Sequence, residues 1–143
     1  MSGINSVEAY HYQTNEYVRI EFSDGYISRI IPQGEGPRGK EPVIVAPGFI
    51  DNQVNGYIGV DFSEDGLTAA LMEKVVEALR CDGITSFMPT FITNSHENLL
   101  RNFRLASVTL RNSNIHDSVP GFHLEGPYIS PEHGYYGTHP PEH

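Results

Sequence analysis

Ile84-Thr85-Ser86-Phe87-Met88-Pro89-Thr90-Phe91 reads as a short buried strand, and what flanks it sets the topology. Before it, Leu67, Leu71, Val75, Ala78 and Leu79 fall on one face of a helix over about residues 67–81, and Asp82-Gly83 suits its C-terminal end. After it, Asn94 or Ser95 can cap a second helix that ends near Asn112, with Leu99, Phe103, Ala106 and Leu110 as its stripe. Farther out, Val43-Ile44-Val45-Ala46 and Phe49-Ile50-Asp51 are short apolar runs separated by Pro47-Gly48. Residues 52–59 are loop-like, and a last strand is expected over about residues 119–124. The order β-α-β-α-β with short connections predicts an α/β fold of parallel strands joined by crossover helices. Functional groups in such units sit at the C-terminal ends of strands. Gln53 with Asn55, then Thr90, then Glu125 fall there.

The N-terminal third is different. Val18, Ile20 and Phe22 alternate with Arg19 and Glu21, the period of a half-buried strand. Asp24-Gly25 is a turn signal, and Tyr26 onward returns as the second arm of a hairpin over residues 17–31. Residues 32–42 carry Pro32, Gly34, Gly36, Pro37, Gly39 and Pro42, a loop or an edge excursion. Residues 1–15 are polar, with neither the basic nor the apolar segment of a secretory leader.

At 143 residues the chain can bury one ordinary core but is too short for a whole (β/α)8 barrel, which takes about 250 residues. Its net charge of −9 argues against a nucleic-acid partner, which needs clustered Lys and Arg. No apolar run approaches the roughly 18 residues of a membrane span, so no membrane partner is expected. The single cysteine, Cys81, cannot close an intrachain disulfide, which makes a reducing, cytoplasmic setting the expectation. Near a helix end, Cys81 reads as a small packed residue.

Three groups bear chemistry. In His123-Leu124-Glu125-Gly126-Pro127, a carboxylate stands at a strand end before Gly-Pro, and His123 shares its strand face two residues earlier. The pair reads either as a metal ligand with its support or as a surface carboxylate beside a packed imidazole. In Pro47-Gly48-Phe49-Ile50-Asp51-Asn52-Gln53-Val54-Asn55-Gly56, the amides Gln53 and Asn55 are also two apart. They are weak metal ligands but good hydrogen-bond partners for a water, a substrate or the Glu125 carboxylate; the alternative is a turn with amide caps. In the loop 130–143, His133, His139 and His143 match no compact metal spacing. His139 after Gly137-Thr138 suits a substrate hydrogen-bond donor. His11, His96 and His116 sit in polar contexts that suit exposure.

Taken together these segments resemble the N-acetylglucosamine-6-phosphate deacetylases of the amidohydrolase superfamily. Pro47-Gly48-Phe49-Ile50-Asp51 resembles the first barrel strand. Gln53-x-Asn55-Gly56 stands where most amidohydrolases have His-x-His. Gly83-Ile84-Thr85-Ser86 with Met88-Pro89-Thr90 resembles the second strand, and His123 to Pro127 with Gly137-Thr138-His139 the third strand and its loop. The set covers roughly residues 17 to 143.

The resemblance implies the N-terminal part of a (β/α)8 metal-dependent hydrolase barrel over residues 47–143, preceded by strands of a small β-sandwich over residues 1–46, with the barrel incomplete. It implies one divalent metal, Zn, Fe, Mn or Co, held by Glu125 and two histidines from later strands. The metal would activate water against the acetamide carbonyl of N-acetylglucosamine 6-phosphate, giving glucosamine 6-phosphate and acetate. Thr138 and His139 would face the sugar, with Gln53, Asn55 and His123 supporting the metal or its water. The catalytic aspartate would lie beyond residue 143, so no catalytic residue is expected within the chain. The partner would be a small amino-sugar phosphate, and the full-length proteins homo-oligomers.

The loop His133-Gly134-Tyr135-Tyr136 departs from the Lys-Lys pair common in the relatives. Three readings follow. The chain is one portion of a deacetylase and inactive alone; it is a non-catalytic sugar-phosphate-binding or complementing fragment; or it is an amidohydrolase for a cyclic amide. Gln53 and Asn55 argue against the last, because a binuclear centre needs histidines there.

Overall fold

The computed structural model describes residues 5–39, 41–140 and 142–143. The start of the polar N-terminal stretch, residues 1–4, and Lys40 of the Gly/Pro loop lie outside them. The chain forms two compact units, Met1–Pro47 and Gly48–His143.

The first unit is a four-stranded sheet. Strands β1 (Asn5–His11), β2 (Tyr17–Ser23) and β3 (Tyr26–Gly34) run antiparallel, and β4 (Ile44–Val45) joins β1 in parallel, giving the order β3-β2-β1-β4. The expected hairpin turn is present: Asp24 and Gly25 both take positive φ, 52° and 82°, as a two-residue turn matching strand twist requires. β3 runs on to Gly34, so Pro32 lies in a strand; β3 ends the sheet, where a missing N–H is tolerated.

β1 is a strand that the polar sequence does not announce. Only Ala9 of its side chains is buried. Its stability comes from the backbone, through β2 on one side and Tyr10 N–H to the Val43 carbonyl (2.8 Å) on the other. The alternation in β2 also breaks. Val18 and Ile20 are buried as expected, but so is Glu21, while Phe22 is half-buried. A register shift between Glu21 and Phe22 changes the phase of the strand. The buried carboxylate is met by Arg29 Nη2 at 2.7 Å and Arg19 Nε at 3.5 Å.

The second unit carries the parallel sheet. β5 (Phe49–Val54) pairs with β8 (Ile84–Ile92), and β8 with β9 (His123–Glu125), in the order β5-β8-β9. A small antiparallel pair is formed by β6 (Gly56–Tyr57), inside the stretch read as loop, and β7 (Val60–Asp61), just after it. Helices α1 (Ala69–Cys81) and α2 (His96–Asn112) lie in the two crossovers. Pro89 is the last β8 residue paired with β5, and Thr90 the first paired with β9. A proline is thus accommodated in the middle strand where its partners change. The final strand is shorter than the predicted 119–124, because pairing starts only at His123 opposite Thr90.

Both helices begin at side-chain caps. Thr68 Oγ1 accepts from Leu71 N–H, and Ser95 Oγ from Asn98 N–H, each at 3.3 Å. α1 buries Met72, Val75, Val76 and Leu79, a face rotated slightly from the predicted stripe. α2 buries Leu99 and Ala106 as predicted, but Asn102 and Thr109 with them. Asn102 is admitted because Nδ2 donates to the carbonyls of Phe62 (3.0 Å) and Glu64 (3.1 Å). Phe62, Phe87 and Phe91 anchor the core, and Phe103 and Phe122 close on Phe91 at centroid distances of 4.4 and 5.8 Å. Cys81 is exposed rather than packed, because it ends α1 on the side away from this core. Neither described helix is long and apolar enough to cross a membrane.

Candidate active site

The C-terminal ends of β5, β8 and β9 converge on the Glu125 carboxylate. Gln53 Nε2 donates to Glu125 Oε2 at 2.9 Å, and Asn55 Nδ2 donates to the same oxygen at 3.2 Å. His139 Nε2 lies 3.4 Å from the other oxygen, Oε1. Gln53 is aimed by a turn in which its own N–H donates to Asp51 Oδ1 at 3.0 Å. The carboxylate side chain is 34% exposed, whereas His139 is 11% exposed. These neighbours hold the Glu125 carboxyl below its ordinary range: the Asn55 hydrogen bond contributes most, then His139 and Gln53, against the opposing effect of burial.

On the far side of the imidazole, His139 Nδ1 is 2.9 Å from Thr93 Oγ1. Thr93 follows β8 and is 3% exposed. Thr90, the β8 residue expected at this end, makes no hydrogen bond to the Glu125 cluster among the described residues. It is fully buried, and its hydroxyl donates to the Met88 carbonyl at 3.2 Å. Its partner across the strands is His123. Thr93, three positions later, is the residue that sequence reasoning missed; its position between a strand end and the Asn94-Ser95 cap was the available signal.

Gln53, Asn55, Glu125 and His139 therefore come together. Thr138 does not meet Glu125; it is exposed and lines an open cleft with Asp61, Ser63, Thr93 and Asn94. His123 is half-buried in β9, and its Nδ1 is buried without a hydrogen-bond partner among the described residues. His96 and His116 are exposed, and His11 is half-buried.

A divalent cation needs more than this cluster offers. Among the described residues no three His, Cys, Asp or Glu side chains are grouped to hold one. Glu125 is a suitable single anionic ligand, with Oε2 occupied by two amide donors and Oε1 less encumbered. The amides fix the carboxylate rather than add ligands.

No family model matches the chain. Curated relatives do. An N-acetylglucosamine-6-phosphate deacetylase from Rattus norvegicus is 44% identical over 102 residues, 68% of this chain and 23% of the relative. An N-acetylgalactosamine-6-phosphate deacetylase from Escherichia coli O157:H7 is 27% identical over 124 residues, 87% of this chain and 32% of the relative. The crystal structure of N-acetylglucosamine-6-phosphate deacetylase from Pasteurella multocida superposes with a TM-score of 0.75 at 27% identity, covering 98% of this chain and 38% of that one. The chain spans about a quarter of the length of the first curated relatives it matches.

Proposed function

As a homologue of the N-acetylglucosamine-6-phosphate deacetylases, spanning about a quarter of their length, this chain, we propose, supplies the Glu125 part of a centre that hydrolyses the acetamide of an amino-sugar 6-phosphate. The observation that carries this reading is the convergence of Gln53, Asn55 and His139 on one carboxylate at the strand ends. Glu125 would be one ligand of a single divalent metal, Zn, Fe, Mn or Co, and the other ligands would come from outside the 143 residues. Bound there, the metal would supply Lewis acidity towards the amide carbonyl and towards water. Gln53 and Asn55 hold the carboxylate in one orientation. His139 presents a ring nitrogen to the sugar, with the Thr138 backbone beside it. His123, half-buried in β9, supports the strand that carries Glu125. The reaction would release acetate and leave the amine on the sugar phosphate.

The same reading makes the parallel strands of the second unit the first of a (β/α)8 barrel and the first unit part of a β-sandwich. Exposure of the apolar Phe49 and Ile50 on the outer strand β5 supports a larger assembly around this sheet.

Acetate release from N-acetylglucosamine 6-phosphate, with N-acetylgalactosamine 6-phosphate alongside, tests it in two proteins. The 143-residue chain with added divalent metal should give no more acetate than its Glu125→Gln variant. A chimera in which residues 17–143 replace the matching segment of a full-length relative should turn over, and should lose turnover with Glu125→Gln. A chimera whose turnover is unchanged by Glu125→Gln would remove Glu125 from the centre. Saturable sugar-phosphate binding by the chain alone, without turnover in the chimera, would favour the binding-fragment reading instead.

A further inference from the structure

We propose that Asp51 is a positioning residue for the Glu125 carboxylate: its side chain pins the main chain of Gln53 at a bulge in β5, and so aims the amide that holds Glu125. The inference deepens the reading of the site given above and rests on it only for the effect on turnover.

Strand β5 falls out of step with β8 just before the site. Asp51 is paired with Phe87 and Val54 with Pro89, so three positions along β5 span two along β8. The extra residue makes a bulge, a device that re-aims a side chain. Neither Asn52 nor Gln53 is paired with a β8 residue among the described residues, so the ladder does not fix Gln53. Asp51 does so instead, because its Oδ1 accepts the Gln53 N–H at 3.0 Å. That contact has only one sense, since a main-chain N–H donates and cannot accept.

Gln53 needs such an anchor. Its long side chain is exposed, so packing does not restrain it, and holding Nε2 at 2.9 Å from Glu125 Oε2 costs rotamer freedom. Asn55 is shorter and reaches the same oxygen at 3.2 Å from a main chain secured in another way. The Asn55 carbonyl accepts Phe62 N–H at 3.1 Å. Behind it the β6–β7 pair closes so tightly that a Cβ on Gly56 would lie 2.2 Å from the Val60 carbonyl oxygen. Main-chain bonds therefore anchor Asn55, whereas Gln53 depends on one side chain. Among the described residues Asp51 makes no hydrogen bond to Glu125, so its influence on the carboxylate passes through Gln53.

The test begins with the 143-residue chain labelled with ¹⁵N. The side-chain amide signals of Gln53 and Asn102 are identified by their loss in the corresponding Ala variants. In Asp51→Ala the Gln53 main-chain amide should exchange with solvent at least about tenfold faster. The Gln53 side-chain signals should move to the values of a free glutamine, while those of Asn102 stay in place. Asp51→Asn keeps an acceptor oxygen and should preserve the wild-type behaviour of both. A purely local turn predicts faster exchange with unmoved Gln53 side-chain signals, and that result overturns the proposal. So does Asp51→Asn behaving like Asp51→Ala, which traces the effect to charge and not to the hydrogen bond. Should Asp51→Ala fail to fold, the wild-type chain decides: a Gln53 main-chain amide that exchanges as fast as in an unstructured peptide is not held by Asp51. In the chimera, Asp51→Ala should lower kcat about tenfold, and Asp51→Asn should restore most of it. Adding Asp51→Ala to Gln53→Ala should cost nothing further. A further loss in the double variant means that Asp51 acts by another route, and overturns the positioning role. The spectra need neither metal nor substrate, so they can fail while the chimera still deacetylates, and the reverse.

Discussion

Gln53 Nε2 reaches Glu125 Oε2 at 2.9 Å across 72 positions of sequence, joining the end of the first parallel strand to the end of the third. With Asn55 donating to the same oxygen, the bond stabilises the ionised carboxylate and does little for the neutral acid.

The sign of the pH dependence follows. The Glu125 pKa in the folded chain is depressed below its ordinary value of 4.5. The stabilisation is complete above 4.5 and is lost as pH falls from there through the lower folded value. A carboxyl ¹³C titration of the metal-free chain should place the Glu125 midpoint below 4.5. Asn55→Ala should raise that midpoint more than Gln53→Ala, since Asn55 contributes the larger effect. A midpoint unmoved by both substitutions would show that the amides do not govern the carboxylate.

Asn102→Leu should destabilise the second unit by about 1–3 kcal/mol, because it leaves the Phe62 and Glu64 carbonyls without their donor. Urea unfolding followed by circular dichroism measures it. An unchanged midpoint would mean that water or a backbone shift takes over both acceptors.

Gly126 and Gly134 share a φ of +94° but differ in surroundings. A Cβ on Gly134 meets nothing within 4 Å, whereas one on Gly126 would lie 2.0 Å from Thr93 Oγ1. Gly134→Ala should therefore cost only the backbone strain, about 1–3 kcal/mol. Gly126→Ala should cost more and also break the Thr93–His139 contact. Equal losses in the two variants would rule out the steric component.

Several parts of this arrangement were legible in the sequence because their signals are local. Asp24-Gly25, Ser95 and Asp82-Gly83 mark a turn, a helix start and a helix end through backbone preferences that neighbours do not alter. Gln53, Asn55 and Glu125 could be placed at strand ends from the β-α-β-α-β order alone, and the structure brings them together with His139. What could not be read depends on distant partners. Glu21 is buried because a register shift turns it inward and Arg29 meets it. Asn102 is buried because two carbonyls 40 and 38 positions earlier accept from it. β1 has almost no apolar periodicity, since two flanking strands hold it by its backbone. Thr93 shares its residue type with Thr90, and only the imidazole 46 positions later distinguishes it.

The separation between Gln53 and Glu125 also sets an order of assembly. The first unit's antiparallel strands meet through tight turns, while each parallel pair of the second unit waits for a whole helical crossover to dock. Long loop closures are slow. Pulse-labelled hydrogen exchange during refolding should protect the β2–β3 hairpin amides first and those of β8 opposite β9 last. The carboxylate centre then comes into being only at the final step, so a half-folded chain with its hairpin formed would still leave Glu125 without Gln53, Asn55 and His139 around it.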